Sequence, residues 1–547
     1  MRGARTHSMD RIDALVIGAG HNGLTCAAYL ARAGLAVKVL ERRAVVGGAA
    51  VTEEFHPGFR NSVAAYAVSL LNPKIIRELE LARHGLTLIE RRAQNFLPTP
   101  EGRYLLTGAG HTRDEIARFS ARDAARYEAY AAELDTVADV LRALALEAPP
   151  NVVAGWGGRG LRELLRAVVL GNRLRRLAMP GRRALLDLFT RSAGDHLDGW
   201  FESEPVKALF GFDAIVGNYA SPYTPGTAYV LLHHAFGEVN GRKGVWGHAR
   251  GGMGAISLAL ARAAREHGVD IETGAEVREV LVENGRALGV TLADGRALRA
   301  PLVAANVNPR LLYTALVPRA ALSERFAERM ARWKCGSGTF RMNVALSALP
   351  SFTARPGHVV QDHHTAGIIL APSLAYMDRA HADARALGWS REPIIELLIP
   401  STLDDSLAPR GAHVASLFCQ HVAPVLPDGQ SWDVHRETVA DLMLATVERY
   451  APGFTASVVA RQILTPLDLE RVFGLTGGDI FHGAMTLDQL FSARPMLGHA
   501  DYRSPLAGLY HCGAGAHPGG GVTGAPGHNA ARVMLGDFRR QRLRRGA

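Results

Sequence analysis

Lysine is nearly missing from this chain. Of its 62 basic residues only Lys38, Lys74, Lys207, Lys243 and Lys334 are lysines, and the excess over 52 acidic residues is +10. An arginine excess can mark selection for phosphate. Here, however, no zinc-finger or RNA-recognition signature accompanies it, and arginine rises together with alanine and glycine, as a GC-rich coding sequence produces. The compositional reading is preferred, and no nucleic-acid partner is expected. Cysteine is scarce as well. Cys26, Cys335, Cys419 and Cys512 stand alone, with no C-x-x-C pair, disulfide framework or zinc spacing, which excludes a redox dithiol and suits a reducing compartment. Long apolar runs are absent: the densest, Pro393 to Pro400 (PIIELLIP), has strand length, far below the roughly 18 residues of a spanning helix. The start, MRGARTHSMD, has charge without the apolar core of a secretory signal. It is basic but short for a transit peptide, and a start at Met9 is an alternative.

What is present is a soluble globular composition, 48% hydrophobic and 21% charged over 547 residues, enough for more than one domain. Residues 13–17 (DALVI) read as a buried strand, 18–23 as a glycine turn, 24–33 as a helix closed by Gly34, and 35–40 as a second strand. Residues 106–229 change to arginine-rich helical segments. A helix over 255–267, a strand over 269–273 and three strand-like runs at 277–283, 286–292 and 296–303 follow. Asn284-Gly285 and Asp294-Gly295 join those runs into a meander. Glycine returns in force at 511–527. The pattern predicts a nucleotide fold written in three pieces, residues 1–105, 245–312 and 481–547, with a substrate or cap domain from 106–244 and 313–480.

Gly18-Ala19-Gly20-His21-Asn22-Gly23 fits G-x-G-x-x-G between strand and helix. The first glycine allows the tight turn, the second the approach of a pyrophosphate and the third close helix packing. Glu41, with Arg42 beside it, ends the second strand, where a carboxylate accepts ribose hydroxyls and repels a 2′-phosphate, so NADP is disfavoured. Gly47-Gly48-Ala49 follow closely. A second glycine pair past the acid resembles FAD proteins of the glutathione-reductase-like and amine-oxidase-like class, which points to FAD rather than NAD. In GAGAHPGGGVTGAPGHNAA, three consecutive glycines before a small-residue helix leave backbone N–H groups at a positive helix end, suited to the N1/C2 edge of an isoalloxazine.

Four blocks carry a wider resemblance: Ser221 to His234, Phe236 to Ser257, Gly474 to Pro495 and Leu509 to Ala531. With them the chain resembles the phytoene-dehydrogenase-like FAD oxidoreductases and, within that group, the pyridine nucleotide-disulfide oxidoreductase domain-containing protein 2 family. The resemblance implies an α/β fold: a discontinuous Rossmann-like FAD-binding domain with a β-meander and an inserted mixed α+β substrate domain. It implies that Gly18, Gly20, Gly23 and Glu41 hold the ADP half of FAD. Val277 would contact the adenine, and Gly513 and Gly520, Gly521, Val522 and Thr523 would face the flavin. It also implies hydride transfer from a hydrophobic C–H to flavin N5, with reoxidation by oxygen or a quinone. Partners would be an isoprenoid, a lipid or an amine. A flavin amine oxidase and a non-catalytic FAD protein beside mitochondrial or respiratory partners stay open as alternatives. No second dinucleotide fingerprint supports bound NAD(P)H.

Such chemistry needs an oriented carbon and one proton acceptor rather than a triad. Candidates are His517 before the glycine nest, His482 in IFHG and Tyr66 beyond Gly47-Gly48, with His517 preferred for its chain position. His233-His234 and His363-His364 suggest no metal, because adjacent side chains diverge. From Arg159 to Arg191 there are nine arginines against Glu163 and Asp187. Leu161, Leu164, Leu165 and Val168 share one helical face beside Arg162, Arg166 and Arg173, with Gly171-Asn172 expected to interrupt the helix. An anionic membrane surface and a solvated face both fit, and RRQRLRR at 539–545 suits either. A cytoplasmic, membrane-peripheral place in a bacterium, or the mitochondrial matrix in a eukaryote, is the expected location.

Overall fold

In the computed structural model, which describes residues 11–108, 110–151, 153, 155 and 157–545, a five-stranded parallel sheet is the scaffold of the first layer. The N-terminal decapeptide, with the alternative start at Met9, and the side chains of Arg159, Arg544 and Arg545 lie outside the described residues. The strand order is Asp270–Thr273, Val37–Glu41, Ala14–Ile17, Leu302–Ala305, Leu509–His511, so all three expected pieces meet in one sheet. Every residue of Ala14–Ile17 is buried because both faces of the sheet are covered. Ala14 and Val16 pack under the helices His21–Arg32, Gly254–Glu266 and Ala525–Arg545, while Leu15 and Ile17 pack against the meander.

The meander pairs Val277–Glu283 with Arg286–Leu292 and that strand with Ala297–Arg299. Its hairpin turns through Asn284 (φ 49°) and Gly285 (φ 71°), the positive-φ pair of a tight two-residue loop. The run expected to continue to 303 breaks after Arg299. Leu302–Ala305 leaves the meander and enters the parallel sheet beside Ala14–Ile17.

The second layer is a seven-stranded sheet in the order Val458–Leu464, Phe340–Leu346, His413–Val422, Trp389–Leu398, Gly367–Leu370, Asn95–Pro98, Tyr104–Leu106. Its last two strands correct the expected boundary at 105. Residues 95–106 lie in the sheet of the inserted part, where Asn95–Pro98 pairs in parallel with Gly367–Leu370. One face packs on the helices of residues 121–235 and on Leu374–Leu387, the other on Trp432–Tyr450. Within the helical stretch, Gly158–Arg175 runs unbroken through Gly171-Asn172, contrary to expectation.

Candidate active site

A cavity runs from the carboxyl ends of the parallel strands to Tyr66, Val216 and Trp246, and through the Tyr66 hydroxyl it touches the seven-stranded sheet. At its first end the backbone is drawn in tightly. A Cβ on Gly23 would sit 2.1 Å from the Gly18 carbonyl oxygen, so only glycine lets the helix His21–Arg32 start this close to its own strand. That helix has no side-chain cap, and its first N–H groups point toward the cavity mouth at the positive end of the dipole. Gly47 crosses directly over the turn, its N–H donating to the Ala19 carbonyl at 2.9 Å. At φ 128° and with a Cβ site 2.6 Å from the Ala50 oxygen, Gly47 also admits nothing larger.

Glu41 organises this end. Its Oε2 accepts from the Ala19 N–H at 2.8 Å and its Oε1 from the Arg43 N–H at 3.0 Å, and each oxygen keeps a further lone pair at the cavity wall. Four polar atoms on the lining have no protein partner although buried: His21 Nε2, Asn22 Oδ1, Arg43 Nη1 and His482 Nδ1. Buried polar groups are rarely left so. A glycine turn at a helix N-terminus, an acid at the next strand end and unpartnered polar atoms along the wall fit an extended dinucleotide such as FAD.

The second end is built from side chains. Tyr66 lines the cavity and its hydroxyl donates to Glu396 Oε2 at 2.6 Å. The Arg341 guanidinium lies 4.5 Å from the Tyr66 ring centre and donates from Nη2 to Ser416 Oγ at 2.7 Å. Cross-strand register explains the group: Arg341 pairs with Phe418, and Phe418 with Glu396, so the three form one row across the sheet. Burial raises the Glu396 carboxyl, with the charges of Arg91 and Arg341 opposing. Burial and Glu396 raise the Tyr66 phenol well above its ordinary value. Asp213, within the field of Glu396, is pushed up to about 8, chiefly by desolvation. The wall between is apolar, with Ala64, Ala65, Ala67, Leu70, Val216, Ile480 and Phe481 facing in.

The structure sorts the residues expected from sequence. Gly18, Gly20, Asn22, Glu41, Arg42, Gly47, Gly48, Ala49, Val277, Gly521 and Val522 line this one cavity. Arg42 spends its guanidinium on the carbonyls of Arg471 and Val472, at 3.1 and 2.9 Å. Ala19, Gly23, Gly513, Gly520 and Thr523 stand behind the lining. Gly520 packs under Phe481, where a Cβ would approach a ring carbon to 2.1 Å, and the Thr523 hydroxyl accepts from the Ala525 N–H at the start of the last helix. His482 faces in, and burial holds it neutral at about 4.

His517 is corrected. It does not reach the cavity, because Nε2 lies 3.1 Å from the Leu144 carbonyl and the ring packs edge-on against Phe491. Sequence reasoning missed Glu396 and Arg341, whose only signal was an ionisable residue in an apolar strand, and Arg91, which carried no signal in its charged loop. It also missed Arg494, fully buried, whose guanidinium donates to the carbonyls of Phe481 and Ala514, both at 2.8 Å, and so braces two stretches of the lining.

Comparison with known proteins agrees with this geometry. The family model of flavin containing amine oxidoreductases matches residues 23–339. Over 551 aligned residues the chain is 44% identical to the pyridine nucleotide-disulfide oxidoreductase domain-containing protein 2 of Rattus norvegicus, covering 96% of this chain and 94% of that protein. It is 26% identical to the lycopene-forming phytoene desaturase of Pseudescherichia vulneris, covering 96% of this chain and 99% of the other. Among solved structures, an oxidoreductase from Methanosarcina mazei shares the fold with a TM-score of 0.60 at 17% identity, covering 96% of this chain and 100% of that one.

Proposed function

The chain belongs to the flavin containing amine oxidoreductase family and is an FAD-dependent oxidoreductase, and from that premise we propose that it dehydrogenates a small apolar substrate. The observation that carries this reading is the second end of the cavity, an apolar wall whose hydroxyl group, Tyr66, is hydrogen-bonded to a buried carboxylate. FAD, when bound, supplies the acceptor for a hydride. The protein contributes position and proton handling. The N-terminus of His21–Arg32 and the Gly18 to Gly23 turn would hold the pyrophosphate of FAD, Glu41 its ribose, and the backbone of Gly521 and Val522 its flavin half. The aliphatic wall excludes water and orients the C–H to be broken. Tyr66 Oη receives a proton leaving the substrate as its own passes to Glu396 Oε2, which is poised for this by its raised affinity for protons. Oxygen or a quinone is the final electron acceptor in this reading.

The name of the phytoene desaturase relative supports an apolar substrate. One observation favours an amine instead: Tyr66, Trp246 and Phe481 all line the cavity, and aromatic walls suit a neutral amine beside a flavin. Anaerobic mixing of the purified protein with terpenes and linear polyenes in micelles, and separately with primary amines and polyamines, distinguishes the two. Bleaching of the visible flavin band by a polyene or terpene alone is the expected result, slowed on the order of 100-fold or more by Tyr66→Phe. Bleaching by amines alone would transfer the assignment to amine oxidation.

A further inference from the structure

The helix Gly158–Arg175 is apolar on two sides. Its packed side holds Glu163, 6% exposed, with the partly buried Ala167, Leu170 and Leu174, while Leu161, Leu164, Leu165, Val168 and Val169 share the opposite face at 50–60% exposure. The next helix, Met179–Thr190, buries Ala184 and Leu188 in the usual way but leaves Met179 and Leu186 55% and 64% exposed. Single exposed leucines are ordinary on a protein surface, but five apolar residues exposed along one face of one helix are not.

The rim of the stripe is basic. Arg162, Arg166 and Arg173 follow one edge, Arg175 and Arg176 end it, and Arg182 and Arg183 stand between Met179 and Leu186. Glu163 pairs with Arg166 and Glu147 with Arg173. Arg162, Arg175, Arg176 and Arg183 have no carboxylate partner among the described residues. No helix among the described residues is long and apolar enough to cross a membrane.

We propose that this helix, with the start of the next one, docks on an anionic lipid bilayer, with the aliphatic stripe in the acyl boundary and the arginines on headgroup phosphates. An apolar protein partner would cover the leucines and leave the guanidiniums unmatched, whereas an anionic bilayer answers both features at once. The inner face of Met179–Thr190 gives docking a consequence. Phe189 packs 4.9 Å from the Tyr229 ring, in one cluster with the cavity-lining Phe481. Docking therefore sets acyl chains within one helix layer of the cavity wall, a route by which an apolar substrate avoids water. The proposal goes beyond the catalytic reading and stands or falls separately from it.

The test is co-sedimentation of the full-length, FAD-loaded protein with phosphatidylcholine vesicles, with and without phosphatidylglycerol. Binding to the anionic vesicles, weakened by added salt and much weaker on phosphatidylcholine alone, is expected. Leu164→Asp with Val168→Asp should abolish binding while the visible flavin spectrum, the check on folding, stays unchanged. Arg175→Glu, Arg176→Glu and Arg183→Glu together should weaken it on the order of 100-fold. A protein with a normal flavin spectrum that stays in the supernatant with anionic vesicles would overturn the proposal. So would a solution dimer that Leu164→Asp converts to monomer, since a second copy would then be what covers the stripe.

Discussion

The two ends of the cavity are built on opposite plans. At the parallel sheet the backbone does the work: glycines at 18, 20, 23, 47 and 48 remove side chains so that a turn, a helix end and a crossing loop can meet around a ligand. At the seven-stranded sheet, side chains do it. Tyr66 and Glu396, 330 residues apart in sequence, meet over a row of Arg341 and Phe418, with Arg91 adding a second guanidinium. The first plan fails when an atom is added, the second when a charge is lost. In the proposed function, a cofactor shared by many enzymes is held by the rigid, local plan, and the substrate by the plan that a few exchanged side chains can change.

The largest effect expected from that contrast is at Gly23. Gly23→Val should force the turn from the helix, costing more than about 3 kcal/mol and giving a colourless or insoluble protein. Flavin content after purification checks it. Next comes Glu396→Gln, which keeps shape and removes the carboxylate opposing Arg91 and Arg341. Because burial outweighs the two guanidiniums in raising the Glu396 carboxyl, denaturant stability should change little, whereas bleaching of the flavin by substrate should slow on the order of 100-fold with flavin retained. Unslowed bleaching by Glu396→Gln would break the second half of the comparison.

The cofactor end was legible because its demands are local. Each glycine answers a backbone requirement within 30 residues of a strand or helix boundary, and Glu41 follows as the end of the next strand. The substrate end was not, since no local signal tells which strands will lie side by side. Glu396 sits in the most apolar run of the chain, PIIELLIP, and Arg341 in FRMNVAL; an ion in such a run hints at a buried site without naming its partner. His517 was misplaced for a related reason. Nearness in sequence to Gly519 to Gly521 suggested nearness to the cavity, but its carbonyl is taken by the Tyr502 hydroxyl at 2.7 Å and its ring by Leu144. The helix Gly158–Arg175 had a recognisable apolar face, and only the fold shows that this face points outward.

Away from the cavity wall, two buried histidines offer a sharper probe. Burial holds His517 down at about 4 and His511 at about 3. The unfolded chain therefore takes up protons first as pH falls. Stability from the neutral rings is complete above about pH 6.5 and is lost as pH falls toward about 4. Roughly 2 kcal/mol per histidine should disappear between about pH 7 and about pH 5, measured as a falling denaturant midpoint. The smallest effects separate two candidate proton acceptors. Tyr66→Phe should cost about 1–3 kcal/mol by leaving Glu396 short of a donor. His517→Gln should cost about 1 kcal/mol and leave the flavin spectrum unmoved, as expected for a ring that bonds only a helix-end carbonyl.

The most direct test is the visible absorption spectrum of the purified protein through anaerobic dithionite titration and readmission of air. Flavin bands that bleach and then return are the predicted result, and they would show that the glycine-built end holds a redox-active FAD. A colourless protein that refuses added FAD would contradict the account at its centre.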